Sequence, residues 1–265
     1  MVSLRTRSCL WRWLSICFHR EDIWRMDRMK EAEKSRRVHD MFGAIADRYD
    51  FLNHFLSANI DRRWRRACLR EIEKRTAVSR PRILDVGCGT ADLSLLFSRW
   101  GPVTGCDFCR PMLRIGAGKI AGGMRHEPVS LLEADALALP FSANSFDIVV
   151  SAFVMRNLAD IERGLGEMRR VLRHGGAVGI LDFGMPRIPF LAALYRFYFL
   201  RVLPRWGKMI SGVDGPYGYL PRSVQAFPPV EELKQTVERA GFVNVEYKKL
   251  TGGIAILLVG NAGQR

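Results

Sequence analysis

An alternation of short apolar runs with amphipathic stretches, beginning at Arg82, constrains this chain more than any other feature. The pattern predicts strands at 82–86, 102–106, 128–133, 146–151 and 176–182. Helices are expected between them at 91–100, 110–121 and 160–173. Repeated strand–helix units form a parallel sheet with helices on both faces, because each crossover is right-handed and returns over the sheet. After 182 the rhythm breaks. Residues 187–227 read as an insertion: an aromatic helix at 187–203, containing FLAALYRFYFLRVL, and a glycine-rich loop at 210–221. A helix at 229–240 restores the pattern, and strands at 242–249 and 254–259 follow. Only TGGIA separates these last two, so they should pair as an antiparallel hairpin at the sheet edge.

Upstream of the sheet, Val38, Met41, Phe42, Ile45, Tyr49, Leu52 and Phe55 recur at three- and four-residue spacing, the signature of a helix with one apolar face. A second helix is expected from Asp61, taken as its N-cap, through WRRACLREIEKR. These helices precede the first strand and should cover one mouth of the sheet, where Asp47, Tyr49 and Asp50 can face a ligand. Core packing explains the same spacing. Residues 1–29 mix arginines with tryptophans and lack both a clean apolar run and a small-residue cleavage site. They read as a basic membrane-surface segment or, the preferred reading, as an upstream extension with Met26 or Met29 as the true beginning. The expected organisation is a basic extension (1–29) and one domain from residue 30. That domain comprises a helical cover (30–78), a core (80–183), the insertion (187–227), and a terminal helix with hairpin (229–260).

The chain is basic, at +14. Residues 1–37 contribute ten Lys/Arg against five Asp/Glu, so most of the excess is spread over the body. Such a balance favours an anionic partner (nucleic acid, acidic lipid or acidic metabolite) or is simply a solvated basic surface. The six cysteines are scattered. Cys106 and Cys109 form a C-x-x-C, but no second pair or neighbouring histidine completes a zinc site, and Cys106 falls in a predicted strand. Buried thiols in a reducing cytosol and no metal are expected.

The chemistry gathers at RILDVGCGT, where the first strand ends in a glycine turn that opens a helix. Gly87 and Gly89 let the backbone take unusual dihedrals and approach a ligand closely. The third glycine of the dinucleotide fingerprint is missing. A second apolar run ends at Asp107, an acid placed to accept two hydrogen bonds from a ribose diol. The pair suggests an adenosine-type ligand held across adjacent strands. Ligands of doubly wound sheets sit outside the carboxyl ends of the strands, which here carry Gly87–Thr90, Asp107, Asp135–Ala136 and Ser151. Asp135 can accept from an adenine amino group or cap the following turn. Arg156 and Asn157 follow the fourth strand, where they can orient a polar substrate or polarise water, or simply lie at the surface. There is no P-loop, H-E-x-x-H or G-x-S-x-G. Nor is there the N-P-P-Y or D-P-P-Y of amine-directed methyltransferases, which points away from a planar nitrogen toward an oxygen or an activated carbon.

From about Val38 to Gly260 the chain resembles the ubiquinone/menaquinone biosynthesis C-methyltransferases. The blocks that carry the resemblance are VHDMFGAIADRYDFLNHFLSANIDRRWRR, ILDVGCGTADLSL, EADALALPF, FDIVVSAFVMRNLAD, GEMRRVLRHGG, LDFGMP, ISGVDGPYGYLPRSVQAFP and GGIAILLVG. The first and the P-Y-G-Y-L-P-x-S-V block are specific to that family; the glycine motif is shared across class I methyltransferases. The resemblance implies a class I S-adenosylmethionine-dependent, Rossmann-like fold with a mainly parallel seven-stranded sheet, N-terminal helical cover and a helical insertion before the last helix. It implies S-adenosylmethionine as methyl donor, held by Gly87, Gly89, Thr90, Asp107, Asp135, Ala136 and Ser151, and a prenylated quinol as acceptor. Arg156 and Asn157 then belong to the reactive end, with Tyr49 and Asp85 nearby. Ala91 departs from the family, which often has glycine there.

The implied reaction is attack of a quinol ring carbon, activated by loss of a hydroxyl proton, on the donor methyl. A water or hydroxyl proton relay organised by Arg156 and Asn157 is expected. The aromatic insertion would supply an apolar groove for the prenyl tail and help the enzyme reach the inner face of a membrane from the cytoplasm. Other quinone-biosynthesis enzymes or a second copy are its open protein partners; nucleic acid is not expected, for no RNA-binding motif is appended. The rival readings are a class I methyltransferase of another small molecule or of RNA, and a non-catalytic donor-binding subunit of a quinone-synthesis complex.

Overall fold

The computed structural model describes residues 33–36, 38–44, 46, 59–123, 126–186 and 216–264. The extension 1–29, the aromatic helix 187–203, and Asp47, Tyr49 and Asp50 lie outside the described residues.

Seven strands form one sheet in the order β3-β2-β1-β4-β5-β7-β6. They are β1 (Ile83–Val86), β2 (Val103–Asp107), β3 (Val129–Glu133), β4 (Phe146–Ala152), β5 (Leu172–Phe183), β6 (Phe242–Leu250) and β7 (Ala255–Ala262). β1 to β5 are parallel, and β7 runs antiparallel to both β5 and β6. The expected hairpin is present, with its second strand wedged inward so that β6 forms the edge on that side and β3 the opposite one. The helices are α1 (Ile60–Glu73), α2 (Asp92–Phe97), α3 (Arg110–Gly122), α4 (Ile161–Val171), α5 (Pro216–Ala226) and α6 (Val230–Arg239).

The alternation of side chains along each strand sorts the core into two layers. Leu84, Val149, Ile180 and Leu258 face one side and pack with Leu165 and Met168 of α4 and Leu233 and Val237 of α6. Ile83, Ile148, Val150, Leu181 and Leu257 face the other and meet Trp64, Cys68 and Ile72 of α1 and Leu93 and Phe97 of α2. Both faces are therefore covered, which is why the central strands read as unbroken apolar runs.

Several boundaries differ from the sequence expectation. Asn59, in a left-handed conformation and without a side-chain capping hydrogen bond, occupies the N-cap position of α1, and Asp61 lies in its first turn, ion-paired with Arg65. A buried arginine needs that carboxylate more than the helix end does. α2 starts one residue late, because Ala91 is left-handed (φ 67°) and cannot be its first helical residue. The glycine-rich loop is helical from Pro216 onward. Proline's fixed φ suits a first helical turn, and burial of Ser223 and Val224 anchors the remainder.

A candidate active site at the carboxyl ends of the strands

A cavity of about 160 Å³ opens at the carboxyl ends of β1, β2 and β4. One water needs only ~10–15 Å³, so the space suits a ligand. Gly87, Gly89, Asp107, Asp135, Ala136 and Asn157 all line it, together with apolar walls from Phe108, Met112, Leu137 and Phe153. The described part of the N-terminal cover closes it, through Ser35, Val38 and Phe42. Lys34 Nζ fastens that cover by donating to the Leu158 carbonyl, and burial lowers its pKa.

The glycine turn is held from below. Gly87 has φ +70°, and a Cβ there would stand 2.3 Å from a Val154 methyl, so only glycine fits. The Gly87 and Cys88 N–H groups both donate to the Cys106 carbonyl, at 2.7 and 2.9 Å. Gly89 N–H donates to Asp107 Oδ2 at 2.8 Å, and Cys109 N–H to Asp107 Oδ1 at 2.9 Å. Burial raises the Asp107 pKa against these backbone bonds, which favour its anion. Each carboxylate oxygen keeps a lone pair for a diol. Asp135 Oδ1 accepts from Leu137 N–H at 2.9 Å, so it caps its own turn while lining the cavity. This donor set fits an adenosine ligand: a rigid carboxylate for the ribose, a second one farther along, and apolar walls for a base.

Three expected residues stand behind the cavity. Ser151 Oγ donates to the Val86 carbonyl at 2.8 Å, bonding β4 to β1. Thr90 Oγ1 accepts from Lys119 Nζ at 3.0 Å. Arg156 is buried, its Nη1 donating to Asp182 Oδ1 at 2.6 Å and its guanidinium stacked on Phe183 at 5.0 Å. Its neighbour Asn157 does reach the cavity. Asn157 Nδ2 donates to the Phe153 carbonyl at 3.1 Å, and its Oδ1 accepts from Tyr219 OH at 3.2 Å.

Sequence reasoning missed Asp182, Tyr219 and Phe153 as parts of this site, although all three fall in the quoted blocks. Phe153 is left-handed (φ 64°), an outlier for a bulky side chain that bends the chain from β4 into the turn Met155–Asn157. Its ring stacks on Phe183 at 4.7 Å and carries the Arg65 guanidinium at 5.3 Å. Asp85, at the end of β1, is buried and accepts from Ser94 Oγ at 2.6 Å. Burial pushes its pKa up to about 7. Cys106 is a buried thiol, pushed up to about 12 by the same cause.

Residues 29–261 match the ubiE/COQ5 methyltransferase family. The chain belongs to that family. It is 47% identical over 224 residues to a demethylmenaquinone methyltransferase of Thermus thermophilus, covering 83% of this chain and 99% of the relative. A ubiquinone/menaquinone biosynthesis C-methyltransferase of Geotalea uraniireducens is 42% identical, covering 87% and 98%. Among solved structures, the [4+2]-cyclase SpnF superposes with a TM-score of 0.63 at 16% identity, over 87% of this chain and 97% of that one. A methyltransferase from Aquifex aeolicus gives 0.53 at 18%, over 74% and 88%. These structural likenesses establish the fold alone. The ubiE/COQ5 chain is thus an α/β methyltransferase of the class I architecture.

Proposed function

We propose that this methyltransferase transfers a methyl group from S-adenosylmethionine to a ring carbon of a prenylated quinol, converting demethylmenaquinol to menaquinol or carrying out the corresponding ubiquinol-precursor step. The observation that carries the reading is the convergence of Gly87, Gly89, Asp107, Asp135, Ala136 and Asn157 on one apolar-walled cavity. The names of the relatives matched over most of their length support the acceptor class.

S-adenosylmethionine supplies, when bound, a methyl group made electrophilic by its sulfonium. Asp107 takes the ribose hydroxyls, the Gly87–Gly89 turn lets the backbone close on the ligand, and Asp135 with Ala136 meets the base. Thr90 and Ser151 support these contacts from behind. The acceptor ring lies toward Asn157, where its amide and the Tyr219 hydroxyl bonded to it orient a ring hydroxyl, whose proton is relayed by that hydroxyl and water to the solvent. Loss of that proton pushes electron density to the ring carbon, which would take the donor methyl as its bond to sulfur breaks, and the proton on that ring carbon would then leave to restore the aromatic ring. Arg156 acts as a positioning residue: clamped by Asp182, it fixes the turn that carries Asn157. Holding the reacting atoms within ~3–3.5 Å and excluding water supplies most of the acceleration, and proton transfer a further ~10²–10⁴-fold. No metal takes part. The enzyme works at the inner face of a membrane, where its acceptor is dissolved.

The test is transfer of a labelled methyl group from S-adenosylmethionine to a short-chain demethylmenaquinol in detergent-free buffer, with membranes of a strain blocked at this step as the natural acceptor. Label in the quinone fraction is expected. Donor binding without transfer to either acceptor overturns the acceptor assignment.

A further inference from the structure

Helix α1 has two faces of opposite character. Trp64, Arg65, Cys68 and Ile72 are buried against the sheet, whereas Arg62, Arg63, Arg66 and Arg70 are exposed. At 3.6 residues per turn these four arginines fall within an arc of about 100° on the outward side. Among the described residues no carboxylate lies within ion-pair distance of any of them. This contrasts with exposed Arg80, Arg110, Arg173 and Arg239, each of which has an acidic partner. Only Glu73, at the far end of the helix, shares the arc.

The stripe is tied to the site in position. The N-terminal half of α1 sits at the carboxyl end of the sheet: Trp64 Nε1–H donates to Thr251 Oγ1 at 2.8 Å beside the β6–β7 turn, and its ring lies 6.2 Å from that of Phe153. Phe153 lines the cavity. Arg62, Arg63 and Arg66 therefore emerge at the end of the molecule where the cavity opens. Guanidinium groups bind phosphate oxygens bidentately, and a regular row of them on a rigid helix matches a plane of phosphates.

We propose that the exposed arginine face of α1 docks the enzyme on a bilayer rich in anionic phospholipid, with the cavity end held beside the surface. The proposal rests on the reading that the acceptor is a membrane-dissolved quinol, and it names the surface that reaches it. A basic residue close to an anionic leaflet contributes a roughly fivefold gain in partitioning. Removing two from the stripe should therefore cost about thirtyfold, provided they are at the interface.

The experiment is sedimentation of the full chain with vesicles of phosphatidylcholine alone or with about one third phosphatidylglycerol. Wild type is compared with R62A/R66A and with R99A/R114A, which removes the same charge from two exposed arginines elsewhere. Binding of wild type only to the anionic vesicles, lost about thirtyfold in R62A/R66A and little changed in R99A/R114A, is the expected result. Equal losses in the two variants would reduce the effect to net charge and overturn the proposal, as would unchanged binding in R62A/R66A. Preference of wild type for an RNA duplex over anionic vesicles at equal phosphate would overturn it too. Turnover of the short-chain quinol without vesicles separates the two readings. It should be the same in wild type and R62A/R66A, and its absence in wild type would fail the acceptor assignment while leaving the vesicle result to stand.

Discussion

Asp182 holds Arg156 twice: one carboxylate oxygen accepts from the guanidinium at 2.6 Å, the other from the backbone N–H at 3.3 Å. Side-chain exposure is 6% for the arginine and 0% for the aspartate, so neither charge has water to fall back on. Removing one partner of a buried pair typically costs about 3–5 kcal/mol, whereas replacing both by apolar groups of similar volume is often neutral. Asp182→Ala should accordingly lose several kcal/mol in urea unfolding. The double variant R156M/D182L should recover most of that stability yet transfer methyl groups at least a hundredfold more slowly, with donor affinity preserved. Wild-type turnover in the double variant would show that the pair serves folding alone.

Tyr219 and Asn157 predict a sharper separation. Burial raises the phenol's pKa, so it stays protonated and donates to the amide oxygen. Tyr219→Phe removes one half-buried hydrogen bond, worth about 0.5–1.5 kcal/mol. Stability should fall by no more than that amount, and donor binding by calorimetry should not move at all. A fall in kcat of about tenfold, with little change in KM, is expected if the hydroxyl helps to carry the quinol proton.

Ala91 offers a prediction of the opposite sign. The left-handed conformation costs a residue with a Cβ about 1–2 kcal/mol, and its buried methyl returns about 0.8. Ala91→Gly should therefore gain about 0.5 kcal/mol. Ala91→Val should lose about 1–3 kcal/mol, because a branched side chain tolerates positive φ poorly and Gly116 leaves room for little more than the methyl. Chemical denaturation of the two variants checks the pair of signs.

Asp85 makes stability depend on pH in a direction opposite to that of most carboxylates. Its folded pKa, about 7, lies above its ordinary value because burial penalises the anion. The folded state then binds a proton that the unfolded state has released. The contribution is complete below about pH 4 and is lost as pH rises through 7. Relative to Asp85→Asn, wild type should weaken by a few kcal/mol between pH 5 and pH 8. Unfolding curves at both values decide it, and a constant difference would mean that Asp85 is ionised throughout.

Strands buried on both faces, such as β1 and β4, are legible because their apolar runs leave few alternatives, and β1 to β5 all lie within a few residues of their expected places. Their carboxyl ends then locate Gly87, Asp107 and Asn157 without any contact being visible. Asp182 and Tyr219 carry no such signal. Each acts through a partner, 26 residues away for Asp182 and 62 for Tyr219, and no local pattern encodes such a meeting. Arg156 reads as a site residue from its place just past β4 and from the family resemblance, yet its guanidinium goes to Asp182 whereas Asn157 lines the cavity. The helix at Pro216 is hidden by Pro216, Gly218 and Pro221, which local propensity assigns to a loop and tertiary packing overrules.

The inward place of β7 sets an order of assembly. β6 is synthesised first, but among the described residues it pairs only with β7, which comes later and lies between it and β5. β6 must therefore wait, a β-prone segment with both edges open, until the residues after 254 leave the ribosome. Lys248 and Lys249 on that waiting strand keep it charged, as sequences do where a bare edge would otherwise recruit another chain.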